Sequence, residues 1–327
     1  MLTPNCPTPD ALRSCSELRS VLYSVRCTPC FLCMSVCTFM CIHSTSRINV
    51  PFAVPPASAH RSIDASLVYT PPDVPEVITE GAVFPIDKPR GCTSFDVVRE
   101  IRRLVRHKKV GHAGTLDPLA TGLLIVLAAR PATRLQDAFM FLRKTYTCTV
   151  RLGQSTASHD SETDVERSVD AGFVTDTEIR HGVKHFTGDL EQIPPMYSAV
   201  KIEGEKLYEK ARRGETVDRP PRPITVYEAL ITDIRCGTGT AEETDSDEDI
   251  RPDGCVDVDI RVECSKGTYI RSLARDIGDY LGVGGHLTAL RRTAMGEYTV
   301  DNAWTVEDLQ TAYRIRMSKP DGIAAAS

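Results

Sequence analysis

The chain has 327 residues, of which 41% are hydrophobic and 25% charged, and this composition excludes collagen-like, coiled-coil and wholly disordered proteins. Its 39 basic and 44 acidic side chains give a formal charge of −5, so the overall charge gives no indication of a nucleic-acid partner. The length is sufficient for one large domain or two modest ones.

Residues 1–77 differ in composition from the rest and are predicted to be an extension outside the folded domain. Their uncharged stretch from Cys27 to Ile42 is too short and too polar for a transmembrane helix, so we expect no membrane association. Three alternatives are open: an organellar transit peptide, because arginine occurs without lysine; an iron–sulfur motif; and an unstructured or wrongly assigned extension. Four cysteines have the spacing of cluster ligands but lack the proline that follows such a motif: Cys27, Cys30, Cys33 and Cys37.

The elements after Ile78 show clear periodicity. Apolar residues at 97, 101, 104 and 105 predict a helix capped by Thr93 or Ser94, with an arginine-rich opposite face. Alternation over 145–152 and 256–263 predicts two half-buried strands, and Tyr227–Arg235 predicts a third. A second helix begins near Thr268 and ends at a glycine cluster. Together these elements predict an α+β fold with a mixed or antiparallel sheet.

An acidic segment, 237–254, lies between the last two predicted strands and contains seven acids and one arginine. We expect a hairpin insert with little reason to pack. Since most of the net negative charge is concentrated there, a basic face elsewhere on the molecule is compatible with the composition.

Five cysteines are scattered over the rest of the chain, mostly beside apolar stretches, which predicts buried thiols of a reducing compartment. We therefore expect a cytoplasmic protein, with organellar targeting by residues 1–77 as the open alternative. The five are Cys92, Cys148, Cys236, Cys255 and Cys264.

The segment Gly111–Gly122 reads GHAGTLDPLATG and contains one carboxylate between glycines. The glycines and Pro118 describe a stiff loop that fixes Asp117, which suits a reactive carboxylate. Asp117 could equally cap the turn that follows, and the residues alone leave both interpretations open.

This segment resembles the catalytic loop of the TruB family, the tRNA pseudouridine-55 synthases. Seven further motifs match in order over roughly residues 80–310. They are IDKP (86–89), KTY (144–146), RLGQ (151–154), PPMYSA (194–199), RPITVY (222–227), SKGTYIR (265–271) and LTALRRT (287–293). The resemblance implies a pseudouridine synthase fold, with flanking helices and a thumb insertion at about 193–223 of a catalytic domain spanning 78–312. A polar tail, 313–327, is expected to follow.

The resemblance implies that the T-loop uridine of tRNA is converted to pseudouridine without a metal or an organic cofactor. Asp117 would be the nucleophile that forms a covalent adduct with the uridine. Arg271 matches the arginine that pairs with this aspartate, and its charge is expected to lower the carboxyl pKa against the effect of burial. Tyr146 matches the tyrosine that stacks on the uracil and helps to remove a proton.

His112 matches the histidine that enters the RNA as the uridine leaves its stack. Tyr269 and Leu290 match other positions that line the site, and Gly114 and Thr115 of the loop are assigned to substrate binding. RNA affinity is expected from two basic tracts, of which the second matches the thumb and would fold over the T-arm stem-loop. The candidate residues are Arg106, Lys108, Lys109, Lys206, Arg212 and Arg213.

Two departures from the family pattern are Ala113, where threonine is common, and a loose match over 155–160. Many relatives carry a C-terminal PUA-type RNA-binding module, for which we find no counterpart. We therefore expect a stand-alone monomer that needs neither a guide RNA nor a protein partner. The alternative functions are a tRNA-folding chaperone with secondary or lost catalysis, and a hydrolase that cleaves the nucleoside, although hydrolases of this type usually need two carboxylates.

Overall fold

A computed structural model describes residues 62–198, 201–202, 204–236 and 254–318. The cysteine motif, most of the predicted extension and residues 237–253 of the acidic insert therefore lie outside the described residues.

The strands form one large mixed sheet and two small hairpins. In the described residues the large sheet has nine strands in the order β1-β3-β12-β4-β11-β10-β7, with β2 paired to β3 and β13 paired to β12. The hairpins are β5-β6 and β8-β9. The strands are β1 (Ala82–Lys88), β2 (Val110–Ala113), β3 (Thr121–Ala128), β4 (Lys144–Leu152), β5 (Gln154–Thr156), β6 (Val165–Ser168), β7 (Gly188–Gln192), β8 (Lys201–Ile202), β9 (Glu205–Lys206), β10 (Arg222–Cys236), β11 (Val256–Cys264), β12 (Gly285–Met295) and β13 (Tyr298–Thr299).

Helices cover both faces of this sheet, which confirms the predicted α+β class. Buried residues alternate along β3: Leu124 and Val126 pack in the larger core, and Leu123 and Ile125 pack in the smaller one. The larger core includes side chains of α1, α4, α6 and α7, and the smaller one includes those of α2 and α3. The helices are α1 (Ser94–Leu104), α2 (Ala129–Thr133), α3 (Gln136–Phe141), α4 (Asp176–His185), α5 (Leu207–Arg212), α6 (Ile270–Tyr280) and α7 (Val306–Ser318).

Local sequence explains the two helices that flank the site. Thr93 caps α1, and its side chain and that of Asp96 form a reciprocal capping box. The predicted cap and helix are confirmed. Helix α6 begins at Ile270, two residues after the predicted start, and ends before Gly282, whose φ is +78°.

Strand β12 comes late in the chain but lies near the middle of the sheet. It pairs antiparallel with β4 and parallel with β3, where Arg291 lies opposite Thr121 and Arg292 opposite Gly122. The parallel pair brings the end of the Asp117 loop beside a strand that is about 170 residues away in sequence.

The packed domain extends beyond both boundaries expected from the sequence. Before residue 78, the amide of Tyr69 donates to Val83 O (2.9 Å), and the indole of Trp304 donates to Tyr69 O (2.9 Å). After residue 312, helix α7 continues to Ser318, and the Tyr313 ring packs edge-on against Phe84. Neither the proline-rich start nor the polar end has the periodicity of a regular element, so the sequence does not indicate that they pack.

Three of the scattered cysteines, Cys148, Cys255 and Cys264, are buried as predicted. Cys92 is half-buried. Cys236 is exposed, contrary to the prediction, because it is the last residue of β10, where the strand leaves the sheet for the acidic insert.

None of the described helices has the length and apolar character needed to cross a membrane.

Candidate active site

A cavity of about 250 Å³ opens where β4 begins and β11 ends. It brings together the three predicted catalytic residues, Asp117, Tyr146 and Arg271, from parts of the chain up to 154 positions apart. Four of the five predicted substrate-binding residues also line it: Gly114, Thr115, Tyr269 and Leu290. This placement shows that these residues lie close together, and their roles stay predictions.

The loop that carries Asp117 is held at three successive points. Arg292 Nη2 donates to Gly114 O (2.8 Å) at its start. The Ser94 hydroxyl accepts from the Leu116 amide (2.8 Å) and donates to Leu116 O (2.9 Å) in its middle. After Asp117, the carbonyl of Pro118 accepts from the Gly91 amide (2.9 Å). The position of the carboxylate is therefore set by contacts of the loop backbone as well as by its own partners.

Arg271 forms the ion pair with Asp117. Its Nε lies 3.0 Å from Asp117 Oδ2, and its side chain is only 3% exposed, against 36% for Asp117. Nη1 donates to Ser158 O (3.1 Å) and Nη2 to Tyr197 O (2.7 Å). The planar guanidinium is thus fixed along three directions, a geometry that lysine could not reproduce.

Asp160 is a second carboxylate beside Arg271 and was not predicted. Its Oδ2 lies 3.6 Å from Arg271 Nε. Its Oδ1 accepts from the Ser158 hydroxyl (2.5 Å) and the Glu162 amide (3.0 Å), so its orientation is well defined. Arg271 therefore lies between two carboxylates, of which Asp160 is buried and Asp117 faces the cavity.

The pKa of Asp117 is raised above its usual value, although Arg271 acts to lower it, as expected. Loss of water around the carboxyl is the main cause, and the negative charge of Asp160 adds to it. Arg271 and Lys88 oppose this rise. The Arg271 charge therefore limits the effect of burial without reversing it.

Tyr146 points into the cavity from β4 and is 8% exposed. Burial raises the pKa of its phenol, so the neutral form predominates at physiological pH. This favours stacking and hydrogen bonding by the neutral ring over action as a phenolate.

Two buried cations at the cavity were also missed by sequence reasoning. Arg292 is 1% exposed, and its Nε donates to Leu123 O (2.7 Å). Lys144 donates to the carbonyls of Met140 and Leu142, and burial together with the Arg292 charge lowers its pKa to about 8. Both lie in the quoted motifs. For Arg292 the sequence offers no further signal, because 285–295 is not among the strands that it predicts.

His112 does not line the cavity, although it was predicted to bind substrate. It lies on β2, which ends immediately before the Asp117 loop, and Arg292 and burial lower the pKa of its imidazole. Its Nδ1 is buried without a hydrogen-bond partner in the described part of the chain.

The predicted RNA-binding residues fall into two groups. Arg106, Lys108 and Lys109 are exposed between α1 and β2. Arg212 and Arg213 are exposed at the end of α5 in the thumb, but Arg213 already pairs with Glu205 (2.6 Å) and Glu215 (2.7 Å). The Lys206 side chain lies outside the described residues. The described candidates for RNA binding are thus accessible. Arg213 is the least available for a phosphate contact, because it already forms two ion pairs.

Two family models match consecutive parts of the chain. "TruB family pseudouridylate synthase (N terminal domain)" matches residues 102–270, and "tRNA pseudouridylate synthase B C-terminal domain" matches residues 271–323. The boundary between the two matched parts lies in the first turn of α6. Strands of both parts form one sheet, because β12 of the second part lies between β3 and β4 of the first.

Curated relatives cover most of the chain. The tRNA pseudouridine synthase B of Thermobifida fusca (strain YX) is 46% identical over 250 residues, which is 76% of this chain and 80% of the relative. That of Arthrobacter sp. (strain FB24) is 48% identical over 224 residues, 68% of this chain and 69% of the relative.

Solved structures are similar at the level of the fold. A Cbf5-Nop10-Gar1 complex gives a TM-score of 0.53 at 30% identity, covering 80% of this chain and 63% of the solved chain. An H/ACA RNP bound to a substrate RNA containing 2′-deoxyuridine gives 0.50 at 27%, covering 81% and 63%. The chain thus spans less than two thirds of either solved chain.

Proposed function

Because the chain belongs to the TruB family of pseudouridylate synthases, we propose that it isomerises the T-loop uridine of tRNA to pseudouridine, with Asp117 as the nucleophile. The observation that carries this proposal is the Arg271–Asp117 ion pair, 3.0 Å long, at a cavity lined by Tyr146. A carboxylate held by a fixed guanidinium is a nucleophile with a defined direction of attack.

The proposed reaction moves one bond of the ribose from nitrogen to carbon. The Asp117 carboxylate forms a covalent adduct with the uridine, and the N-glycosidic bond breaks. The uracil then turns and bonds to the ribose through C5, while the bond to Asp117 breaks and the carboxylate is regenerated; the C5 proton is lost and N1 gains a proton. Atoms and charge balance without a co-reactant.

Five neighbouring side chains support these steps. Arg271 favours the ionised form of Asp117 and orients it, and Asp160 lies beside the same guanidinium nitrogen and helps to hold Arg271 in place. The ring of Tyr146 offers a stacking surface, worth about 1–3 kcal/mol per base in comparable sites. The buried Arg292 and Lys144 supply positive charge where the detached uracil carries negative charge.

The tRNA would contact the exposed cations Arg106, Lys108 and Lys109 and the thumb. We further propose that the protein acts in the cytoplasm as a monomer, without a guide RNA or protein partner. One solved relative is named as a Cbf5-Nop10-Gar1 complex and another as an H/ACA RNP, so the mass of this chain, alone and with tRNA, is the relevant measurement. Light scattering should give one protein per tRNA.

The direct test incubates the purified chain with an unmodified tRNA transcript and maps pseudouridine at nucleotide resolution, beside an Asp117→Asn control. We expect one new site, in the T loop, which disappears in the control. Tight binding without modification by the folded wild-type protein would favour the chaperone, and free uracil among the products would favour the hydrolase.

A further inference from the structure

The segment that joins α3 to β4 has one side in the cavity and the other outside it. Met140 and Lys144 line the cavity, whereas Phe141 (40% exposed) and Arg143 (59% exposed side chain) lie on the surface. This short stretch therefore forms part of the cavity rim.

Two cation–aromatic contacts order the outer side of the rim. Lys266 Nζ lies 3.9 Å from the centre of the Phe141 ring, and Lys266 itself also lines the cavity. Arg143 Cζ lies 3.9 Å from the centre of the Tyr227 ring, and its Nη1 donates to Glu263 Oε1 (3.1 Å). We call these four residues, Phe141, Arg143, Tyr227 and Lys266, the rim platform.

Burial of apolar surface does not account for this arrangement, because Phe141 and Tyr227 remain 40% and 42% exposed. Long exposed cations lose side-chain entropy when they are held in one place. The guanidinium of Arg143 is nevertheless held between a ring and a carboxylate. A guanidinium held in this way presents a flat surface to a second partner.

The chemistry of the platform suits single-stranded RNA. Splayed bases stack on aromatic rings and on arginine guanidinium planes, and ammonium groups bind the phosphates between them. When the target uridine occupies the cavity, the nucleotide joined to it by one phosphate must lie at the mouth, where Lys266 and the platform are situated.

On the basis of the proposed function, we propose that the rim platform binds the nucleotide adjoining the target uridine. Its base stacks on the Arg143 guanidinium, and the phosphate that joins it to the uridine contacts Lys266. The base of that nucleotide, as well as the uridine itself, would then contribute to substrate selection.

The test measures tRNA binding in an Asp117→Asn background, so that no RNA is modified during the measurement. Arg143→Gln should raise the Kd for a T-arm stem-loop RNA about 10-fold, and Arg143→Lys should recover little of the loss because it keeps the charge without the plane. Arg167→Gln, an exposed arginine of β6, is the matched control and should leave the Kd unchanged.

Abasic RNAs locate the contact. When the base on one side of the target uridine is missing, a stem-loop RNA should bind the protein with Arg143 about 10-fold more weakly than the intact RNA does. Arg143→Gln should not weaken the binding of that abasic RNA further. The proposal would be overturned by full recovery of the RNA affinity with Arg143→Lys, or by equal losses of affinity with Arg143→Gln and Arg167→Gln. It would also be overturned if the effects of Arg143→Gln and of base removal were additive at both flanking positions.

Failure of the rim platform is distinguishable from failure of the proposed function. In the Asp117 wild-type form, Arg143→Gln should raise the tRNA concentration that gives half-maximal pseudouridine formation about 10-fold, in line with its effect on the Kd, and Arg167→Gln should leave that concentration unchanged. Absence of pseudouridine in the unsubstituted protein would instead refute the proposed function, whatever the binding result.

Discussion

The buried cations around Asp117 donate their hydrogen bonds mainly to backbone carbonyls and only partly to carboxylates. Arg271 is the exception, because it also faces two carboxylates. Carbonyl dipoles satisfy hydrogen-bonding groups without cancelling their charge. The site therefore stays electropositive and suits a phosphate-rich substrate. The carbonyl acceptors are those of Pro89 and Cys92 for Lys88, Met140 and Leu142 for Lys144, and Gly114 and Leu123 for Arg292.

Asp160→Asn tests the second carboxylate. Because the Asp160 charge helps to raise the pKa of Asp117, its removal should move the acid limb of the single-turnover rate to lower pH. The rate at higher pH should fall roughly 100-fold, since Arg271 loses an orienting partner. Single-turnover kinetics across pH measure both effects, and Asp164→Asn, an exposed neighbour, is the control. An acid limb displaced upward would contradict this account.

Lys144→Met tests the buried amine through stability. Its folded-state pKa of about 8 lies below the ordinary 10.5, so the folded state binds the proton more weakly than the unfolded state. The loss of folding stability caused by the buried charged amine is therefore complete below pH 8 and disappears as the pH rises to 10.5. Over that pH range, the free energy of unfolding of the wild type should rise by up to about 3 kcal/mol relative to that of the variant.

Denaturant unfolding at pH 7 and at pH 11 measures this gain. Lys184→Met, at an exposed position of α4, is the control and should show no comparable difference. A stability difference between wild type and Lys144→Met that does not change with pH would show that the Lys144 pKa is the same in the folded and unfolded states.

The residues that meet at the cavity could be located in the sequence because the motifs that carry the family resemblance are contiguous. The spacing of GHAGTLDP marks Asp117, and TYIR marks Arg271. The function of Asp160 could not be predicted, because it depends on a contact with Arg271 across 111 residues and lies in a loosely matching loop. The net direction of the Asp117 pKa shift could not be predicted from the sequence either, because it depends on how much water the fold removes from around the carboxyl.

At the scale of elements, α1 and α6 follow directly from capping residues and apolar spacing, and β4 and β11 follow from alternation. Their arrangement does not. Neither the neighbours of β12 nor its direction relative to β3 is encoded within the strand itself, because side-chain alternation is the same in parallel and antiparallel pairs. The contact at Gly122 provides a direct test of this pairing.

Gly122→Ala should break the junction between β3 and β12. Gly122 has a φ of +98°, and a Cβ there would lie 2.3 Å from the carbonyl oxygen of Arg292. Strain and displacement of β12 together should cost at least about 3 kcal/mol. Gly111→Ala on neighbouring β2 meets nothing within 4 Å and should change stability by less than about 1 kcal/mol. Thermal unfolding of both variants measures the difference, and equal melting temperatures would refute the pairing.

At the scale of the whole molecule, charge is divided between the domain and the insert. Residues 237–253 carry seven acids and one arginine, so their removal changes the formal charge of the chain from −5 to +1. They connect β10 and β11 at Cys236 and Gly254, and long-range repulsion from such a segment slows the approach of any polyanion.

Replacing 237–253 by a short Gly/Ser turn should therefore tighten tRNA binding about 3- to 10-fold at low salt. The gain should vanish near 0.5 M salt, where the screening length is about 4 Å. Filter binding over a salt series measures this. A full-length version with the acids changed to Asn and Gln should behave like the deletion, and a gain seen only with the deletion would indicate an effect of length.

The central position of β12 has a consequence for synthesis of the protein. Until translation has reached Met295, β3 and β4 lack the strand that lies between them, and each presents an unpaired edge. Arg292 and Leu290, which complete the cavity, arrive on the same strand. A nascent chain can therefore neither close its sheet nor modify RNA before nearly all of the domain has left the ribosome, and this interval is when it most needs protection from aggregation.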